Sequence, residues 1–310
     1  MGRQQAGDMC HSSPLNVFAF GVVDNSKHDP EEMTCHCHGE EDGGKGANNV
    51  CSMLMDFLAN ERWPRENETG EALCVVADNC CGQNENSTVI RLMLCLVEMK
   101  HFEKACVTFL VRGHTKNCCD RMFNLMKKDF HKRDLFAHDD VLTRLGSNDR
   151  VSIVDFPPEE FRDWGKHFDQ HYKKMVSGTV AENHVFCVFN NKPTTMMISQ
   201  CMGADEELNP KERDFLKKGT NGPNRKHKMQ TTMLANLTRP GLNPMKQVEL
   251  FTKWRKFVPT DLQDEVCPEP SRETMMSVRK LKQDERKEKA KVVPGKKVIN
   301  KDNSVPLQKG

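Results

Sequence analysis

Two short apolar runs, Leu73-Cys-Val-Val-Ala-Asp78 and Val107-Thr-Phe-Leu-Val111, each break off into a polar cluster. The first opens into Asn79-Cys-Cys-Gly-Gln-Asn84, the second into Gly113-His-Thr-Lys-Asn117 and then Asp120. Runs of β-forming residues bounded by turn formers read as strands. Between them Val89, Ile90, Met93, Leu94 and Val97 recur at helical spacing behind Ser87, a candidate N-cap. Strand, helix, strand in that order predicts a parallel pair joined by a crossover helix. In open α/β sheets, ligand chemistry gathers at the carboxyl ends of the strands. An acid stands at or just beyond each of these ends, and a third run, Val17–Val23, ends at Asp24 in the same way.

The surrounding pattern extends this into an α/β domain. Met33-Thr-Cys-His-Cys-His38 predicts a second strand. Asn48 or Asn49 can cap a helix carrying Val50, Met53, Leu54, Phe57 and Leu58 on one face. Met122, Phe123, Met126 and Phe130 give a helix after the Val107 strand. The order β-β-α-β-α-β-α covers residues 15–150, behind a disordered stretch at 1–14. An α+β extension follows at 151–275: an amphipathic helix over Glu159–Met175, a hairpin of 184–189 with 195–198, and a helix over Lys246–Phe257. Beyond Pro270 the chain is rich in Lys and Arg, and 276–310 reads as a disordered basic tail.

Composition narrows the class. No apolar stretch approaches the roughly 18 residues that a membrane span needs. The first residues have no apolar signal core, and Ala6 replaces the Ser or Thr of a myristoylation signal. Fourteen cysteines scattered among apolar residues predict reduced thiols acting as small hydrophobes. The expected location is therefore nuclear or cytoplasmic, not secreted. The net charge of +2 hides an asymmetry: Arg279–Gly310 carries eleven Lys/Arg against four Asp/Glu. A basic tail on a mildly acidic body suits an anionic partner.

Hard divalent cations such as Mg²⁺ or Mn²⁺ take oxygen ligands, and phosphoryl-transfer sites hold them with carboxylates from different strands. Asp24, Asp78 and Asp120 meet that demand, with Glu40 or Glu41 in reserve for Asp24. Spacing alone favours plainer roles: an Asx turn at Asp78 and a helix N-cap at Asp120. His114 and Lys116 follow a strand and precede Asp120, where they could position a phosphate or leaving group. Lys127 and Lys128, and Lys217, Lys218, Arg225, Lys226 and Lys228 in an acid-free loop, are candidate phosphate contacts. Gly39-Glu-Glu-Asp-Gly-Gly44-Lys45-Gly46 nearly matches a phosphate-binding loop, but Gly46 lacks the metal-binding hydroxyl and three acids would repel phosphates. Cys35-His36-Cys37-His38 invites zinc, yet on a strand the thiols and imidazoles would face opposite ways, which disfavours it.

Four ordered motifs carry a resemblance: Phe20-Gly-Val-Val-Asp24, Gly44-Lys-Gly-Ala-Asn-Asn-Val50, Ala77-Asp-Asn-Cys-Cys-Gly-Gln-Asn84, and Arg112-Gly-His-Thr-Lys-Asn-Cys-Cys-Asp-Arg-Met-Phe-Asn124. The sequence resembles a large eukaryotic domain-of-unknown-function family of transposon-derived proteins with a ribonuclease-H-like, DDE-type transposase core. Glu85 stands where that family's pattern has lysine. The resemblance implies one mixed sheet with flanking helices. It also implies Asp24, Asp78 and Asp120 as ligands of two Mg²⁺ or Mn²⁺ ions, with DNA as partner and room for a homo-oligomer. Two other readings remain open: an inert nucleic-acid-binding or interaction protein on the same fold, and a nucleotide hydrolase using Lys45.

Overall fold

Seven residues of period-two alternation, Met33–Gly39, form β2, the centre of a three-stranded sheet. β1 (Val17–Val23) pairs with it antiparallel, from Val17 opposite Gly39 to Val23 opposite Met33. β5 (Val151–Asp155) lies parallel on its other side. The computed structural model describes residues 15–26, 32–64, 69–78, 80, 85–111, 117–130, 135–175, 177–200, 210–219, 226, 229 and 232–292. The expected alternation on β2 is observed. Cys35 and Cys37 face Met122, Met126 and Leu145, whereas His36 and His38 pack on Phe156 and Phe161.

The second sheet has the order β3-β4-β6-β7-β8. β3 (Gly70–Ala77) and β4 (Phe102–Phe109) are parallel, as the strand-helix-strand order predicts. β6 (Val185–Phe189) and β7 (Thr195–Ser199) form the expected hairpin, and β8 (Lys211–Asp214) adds a charged edge. The structure is thus mixed α/β with two mixed sheets rather than the one expected. Among the described residues β1 is bonded only to β2, and β3 only to β4. Phe20 and Val22 of β1 nevertheless pack on the same apolar core as Leu73, Val75 and Ala77 of β3.

Helices α1 (Ala47–Phe57) and α2 (Ser87–Glu98) cover one face of the second sheet. Val50, Leu54, Ile90, Met93 and Val97 meet Val107, Phe109, Phe186 and Val188 there. α3 (Cys118–Phe130) and α4 (His138–Leu145) close the smaller core over β2. The caps differ from expectation. Gly46, not Asn48 or Asn49, precedes α1, because Asn48 is committed elsewhere: it donates to Asp163 at 3.1 Å and accepts from the Gly165 N–H at 2.8 Å. Asn86, not Ser87, caps α2 through the Thr88 N–H, while the Ser87 hydroxyl accepts from the Met175 N–H.

The helix expected over Glu159–Met175 shortens to α5 (Trp164–His171), because Asp163 caps it through the Lys166 N–H, and a short α6 (Ser177–Ala181) follows. Its expected inward set, Phe161, Trp164, Phe168 and Tyr172, is buried throughout. Tyr172 donates to Glu98 at 2.7 Å, and buried Arg91 reaches Asp169 at 2.7 Å. Burial raises the Asp169 pKa, but hydrogen bonds from Lys174 and Arg91 outweigh it and lower the carboxyl below 3.8. Cys106 and Cys187 are directly opposed on β4 and β6 and are joined as a disulfide. That corrects the expectation of reduced thiols at this pair: strand register alone places the two sulfurs together.

The chain divides into two compact units, 1–242 and 243–310. In the second, Asn243 and Pro244 start α7 (Pro244–Glu249), and the helical path continues to Phe257. The Arg255 guanidinium donates to the carbonyls of Gln263 and Cys267 and pairs with Asp264. α8 (Gln263–Val266) leads to α9 (Arg272–Val292), which occupies much of the stretch expected to be disordered. Twenty-one residues without Gly or Pro, rich in Lys, Arg, Glu and Met, favour helix despite low hydropathy, and Ser271 caps them through the Thr274 N–H. Residues 293–310 lie outside the described residues. Ser271→Ala is expected to weaken α9 by about 1 kcal/mol, read as lost helical circular dichroism; an unchanged signal would show the cap to be idle.

Candidate functional site

At the carboxyl end of β1 the chain turns sharply through Asp24. One carboxylate oxygen accepts from the Ser26 N–H at 3.0 Å and its hydroxyl at 2.7 Å. The other oxygen pairs with the Arg62 guanidinium. The first turn of α3 packs against this end. Cys119 Sγ donates to the Gly21 carbonyl, and Cys118 Sγ to the Asn25 side chain, each at 3.5 Å. Burial pushes the Cys119 thiol up to about 12, so it serves as packing rather than as a nucleophile.

Asp120 lies in that same turn and forms a reciprocal cap with Asn117. The Asn117 side chain accepts from the Asp120 N–H at 2.9 Å, and the Asp120 carboxylate from the Asn117 N–H at 3.3 Å. It thus holds the third helical position, with Asn117 in the capping place expected of Asp120. The signal was legible as Asn117-x-x-Asp120, a capping-box spacing.

Asp78 directly follows β3. Because β3 and β4 are parallel, the segment after β4 leaves the sheet at the same end, where Leu110 N–H donates to the Ala77 carbonyl at 2.9 Å. The structure therefore sets the turns of Asp24 and Asp120 side by side and puts Asp78 at a strand exit of the second sheet. Among the described residues no group of three or more His, Cys, Asp or Glu gathers to hold a metal. His114 and Lys116 lie outside the described residues, as do Arg225 and Lys228.

The reserve acids sit elsewhere. With Gly39 opposite Val17, Glu40 and Glu41 lie at the other end of β1 from Asp24, roughly 20 Å away for a seven-residue strand. Glu40 accepts from the Asn16 N–H at 2.8 Å. Lys45, the pivot of the phosphate-loop reading, rests its ammonium over the Phe18 ring at 4.5 Å. A β-carbon at Gly43 would lie 2.6 Å from the Phe161 ring, so side chains already fill that loop. The Cys35 and Cys37 sulfurs approach within 3.7 Å on one face of β2, while His36 bonds Asp56 at 2.8 Å on the other. The four residues do not converge.

Of the candidate phosphate contacts, Lys127 and Lys128 are exposed in the last turns of α3, where cations suit the helix dipole. Lys217 donates to the Asp169 carbonyl at 2.8 Å, and Lys218 and Lys226 are exposed. α9 segregates its charge: at 100° per residue Arg272, Arg279, Lys280, Lys282, Arg286 and Lys287 share one half, and Glu273, Asp284, Glu285 and Glu288 the other. Arg62, beside Asp24, went unnoticed in the sequence because nothing local links it to that acid.

No described helix is long and apolar enough to cross a membrane. No curated protein and no solved structure matches the chain. A family model does, over residues 7–204, and the chain belongs to that family, described as Domain of unknown function (DUF7869).

Proposed function

We propose that the chain is a transposon-derived, ribonuclease-H-like protein that cleaves or transfers DNA phosphodiester bonds with a divalent metal. The observation that carries the reading is the packing of α3's first turn, bearing Asp120, on the strand end that bears Asp24. Asp78 leaves a strand of the second sheet whose apolar side chains share a core with those of β1. Carboxylate oxygens are the donor set that Mg²⁺ or Mn²⁺ prefers. When bound, the ion supplies activation of water and charge stabilisation at the leaving oxygen. The chain's own part is to hold the three acids on separate elements. Arg62 adds a guanidinium with the fork geometry for a phosphate. His114 and Lys116 belong beside the scissile phosphate on this reading, and Lys127, Lys128, Lys217 and Lys218 along the backbone. The expected workplace is the nucleus or the cytoplasm.

A second reading, an inert nucleic-acid-binding protein on the same fold, has its own support. Asp24 and Asp120 each already have a protein partner, Arg62 and Asn117, while α9 presents a cationic half. One experiment separates the two: Mn²⁺-dependent nicking of labelled DNA by the full chain and by Asp78→Asn. The substitution is expected to cost about 100-fold or more, since even outer partners of metal ligands are worth roughly 10–100-fold. Equal nicking by both proteins would sink the assigned acids. DNA binding that weakens steeply with salt, with nicking by neither protein, would favour the inert reading.

A further inference from the structure

A cavity of about 330 Å³ opens between the start of β1, α3 and α4, at the lower end of the roughly 300–1,000 Å³ of ligand pockets. Its walls are mainly apolar, with the rings of Phe123 and Phe136 beside Met126 and Leu145. Four polar side chains reach it. Two are committed: the Asn16 side-chain amide donates to Glu40 at 3.4 Å, and His138 bonds Asp155 at 3.0 Å. Glu41 and Lys127 have no side-chain hydrogen bond or ion pair among the described residues. The position of Glu41 is built in. Its backbone carbonyl accepts from the Gly241 N–H at 3.0 Å, and its carboxylate lies so close over Gly39 that a β-carbon there would be 2.7 Å away.

A ligand for this cavity needs apolar faces to lie on the rings, donors for a carboxylate, and an anionic group for a lysine. A nucleotide has all three: aromatic side chains stack unpaired bases, and base edges are read by hydrogen bonds. Guanine presents two adjacent donors, N1–H and the N2 amine, on one edge, matching the two oxygens of a carboxylate. Adenine and cytosine present a single amine there, and uracil a single N–H. We infer that the cavity receives an unstacked guanine, its edge on Glu41 and its phosphate on Lys127. This rests on the reading of the chain as acting on nucleic acid and names a base that it would select. Lys127 lies two turns along α3 from Asp120, so one strand can meet both regions.

Calorimetric titration of the full chain with guanosine, adenosine, cytidine and uridine monophosphates tests the assignment. Guanosine monophosphate is expected to bind about tenfold tighter than the others. Glu41→Gln should remove that preference while leaving weak binding of all four, and Lys127→Ala should weaken all four alike. Equal or absent binding of the four nucleotides, or a guanine preference unchanged in Glu41→Gln, would overturn it. Asp78→Asn keeps the cavity and should bind guanosine monophosphate as the wild type does. Nicking without guanine selectivity would remove the pocket and leave the acids standing; guanine selectivity without nicking would do the reverse.

Discussion

Phe168→Ala is expected to destabilise the first unit by about 3–5 kcal/mol, the usual range for truncating a buried phenylalanine. The ring is fully buried, with Trp164 and His167 at 5.7 Å and Tyr172 at 6.0 Å between centroids. It also lies 5.7 Å from the Arg91 guanidinium. Arg91 is itself buried, so removing the ring strips one face from a charge held by Asp169 and the Ser87 carbonyl. The loss therefore combines a cavity with the removal of a cation–π contact. Urea unfolding with an unchanged m-value would report it, and Phe168→Leu, which leaves a smaller cavity, should cost less than alanine. A loss below about 1 kcal/mol for alanine would mean that α5 is not part of the cooperative core.

Acidification from pH 7 to 5 is expected to lower stability through four buried or half-buried histidines. Burial lowers the pKa of His36, His38, His101 and His167 below 6.5. At His36 burial outweighs the opposing pull of Asp56; the neutral ring donates from Nε2 to that carboxylate, and its Nδ1 has no partner for a second proton. At His38 burial outweighs the Gly39 carbonyl and Asp42. Below 6.5 the unfolded chain binds protons that the folded chain refuses, so stability is complete above that value and is lost as pH falls through the lowered ones. Each unit of depression at each histidine is worth about 1.4 kcal/mol. Asp169 cannot produce the effect, because its lowered carboxyl contributes stability that persists until pH falls below 3.8. A melting temperature that stays flat from pH 7 to 5 would contradict this account.

Much of the chain's order was legible because it rests on periodicity. β2, α2, the parallel β3–β4 pair and the β6–β7 hairpin all follow from apolar spacing and turn residues. β5 and β8 escaped. β8 is Lys-Glu-Arg-Asp, exposed along its length at a sheet edge, and its place comes from pairing with β7 rather than from any apolar pattern. α9 carries no hydropathy signal, yet capping by Ser271 and helix-forming residues suffice for it. At the site, the acids and the Asn117 cap could be read locally, but Arg62 beside Asp24 and the meeting of α3 with β1 are tertiary facts. The split into two sheets is of the same kind: both edge strands have strand-forming sequences, and nothing local says which edges join.

If the chain cuts DNA and selects a guanine as proposed, the β1–β2 pair would act as a ruler. One end carries Asp24 and the other Glu41, and the seven-residue register fixes their spacing at roughly 20 Å. That span equals about six stacked base steps of 3.4 Å, and fewer in a stretched strand. A strand held at both ends would be cut at a constant offset from its selected guanine, whatever the bases between.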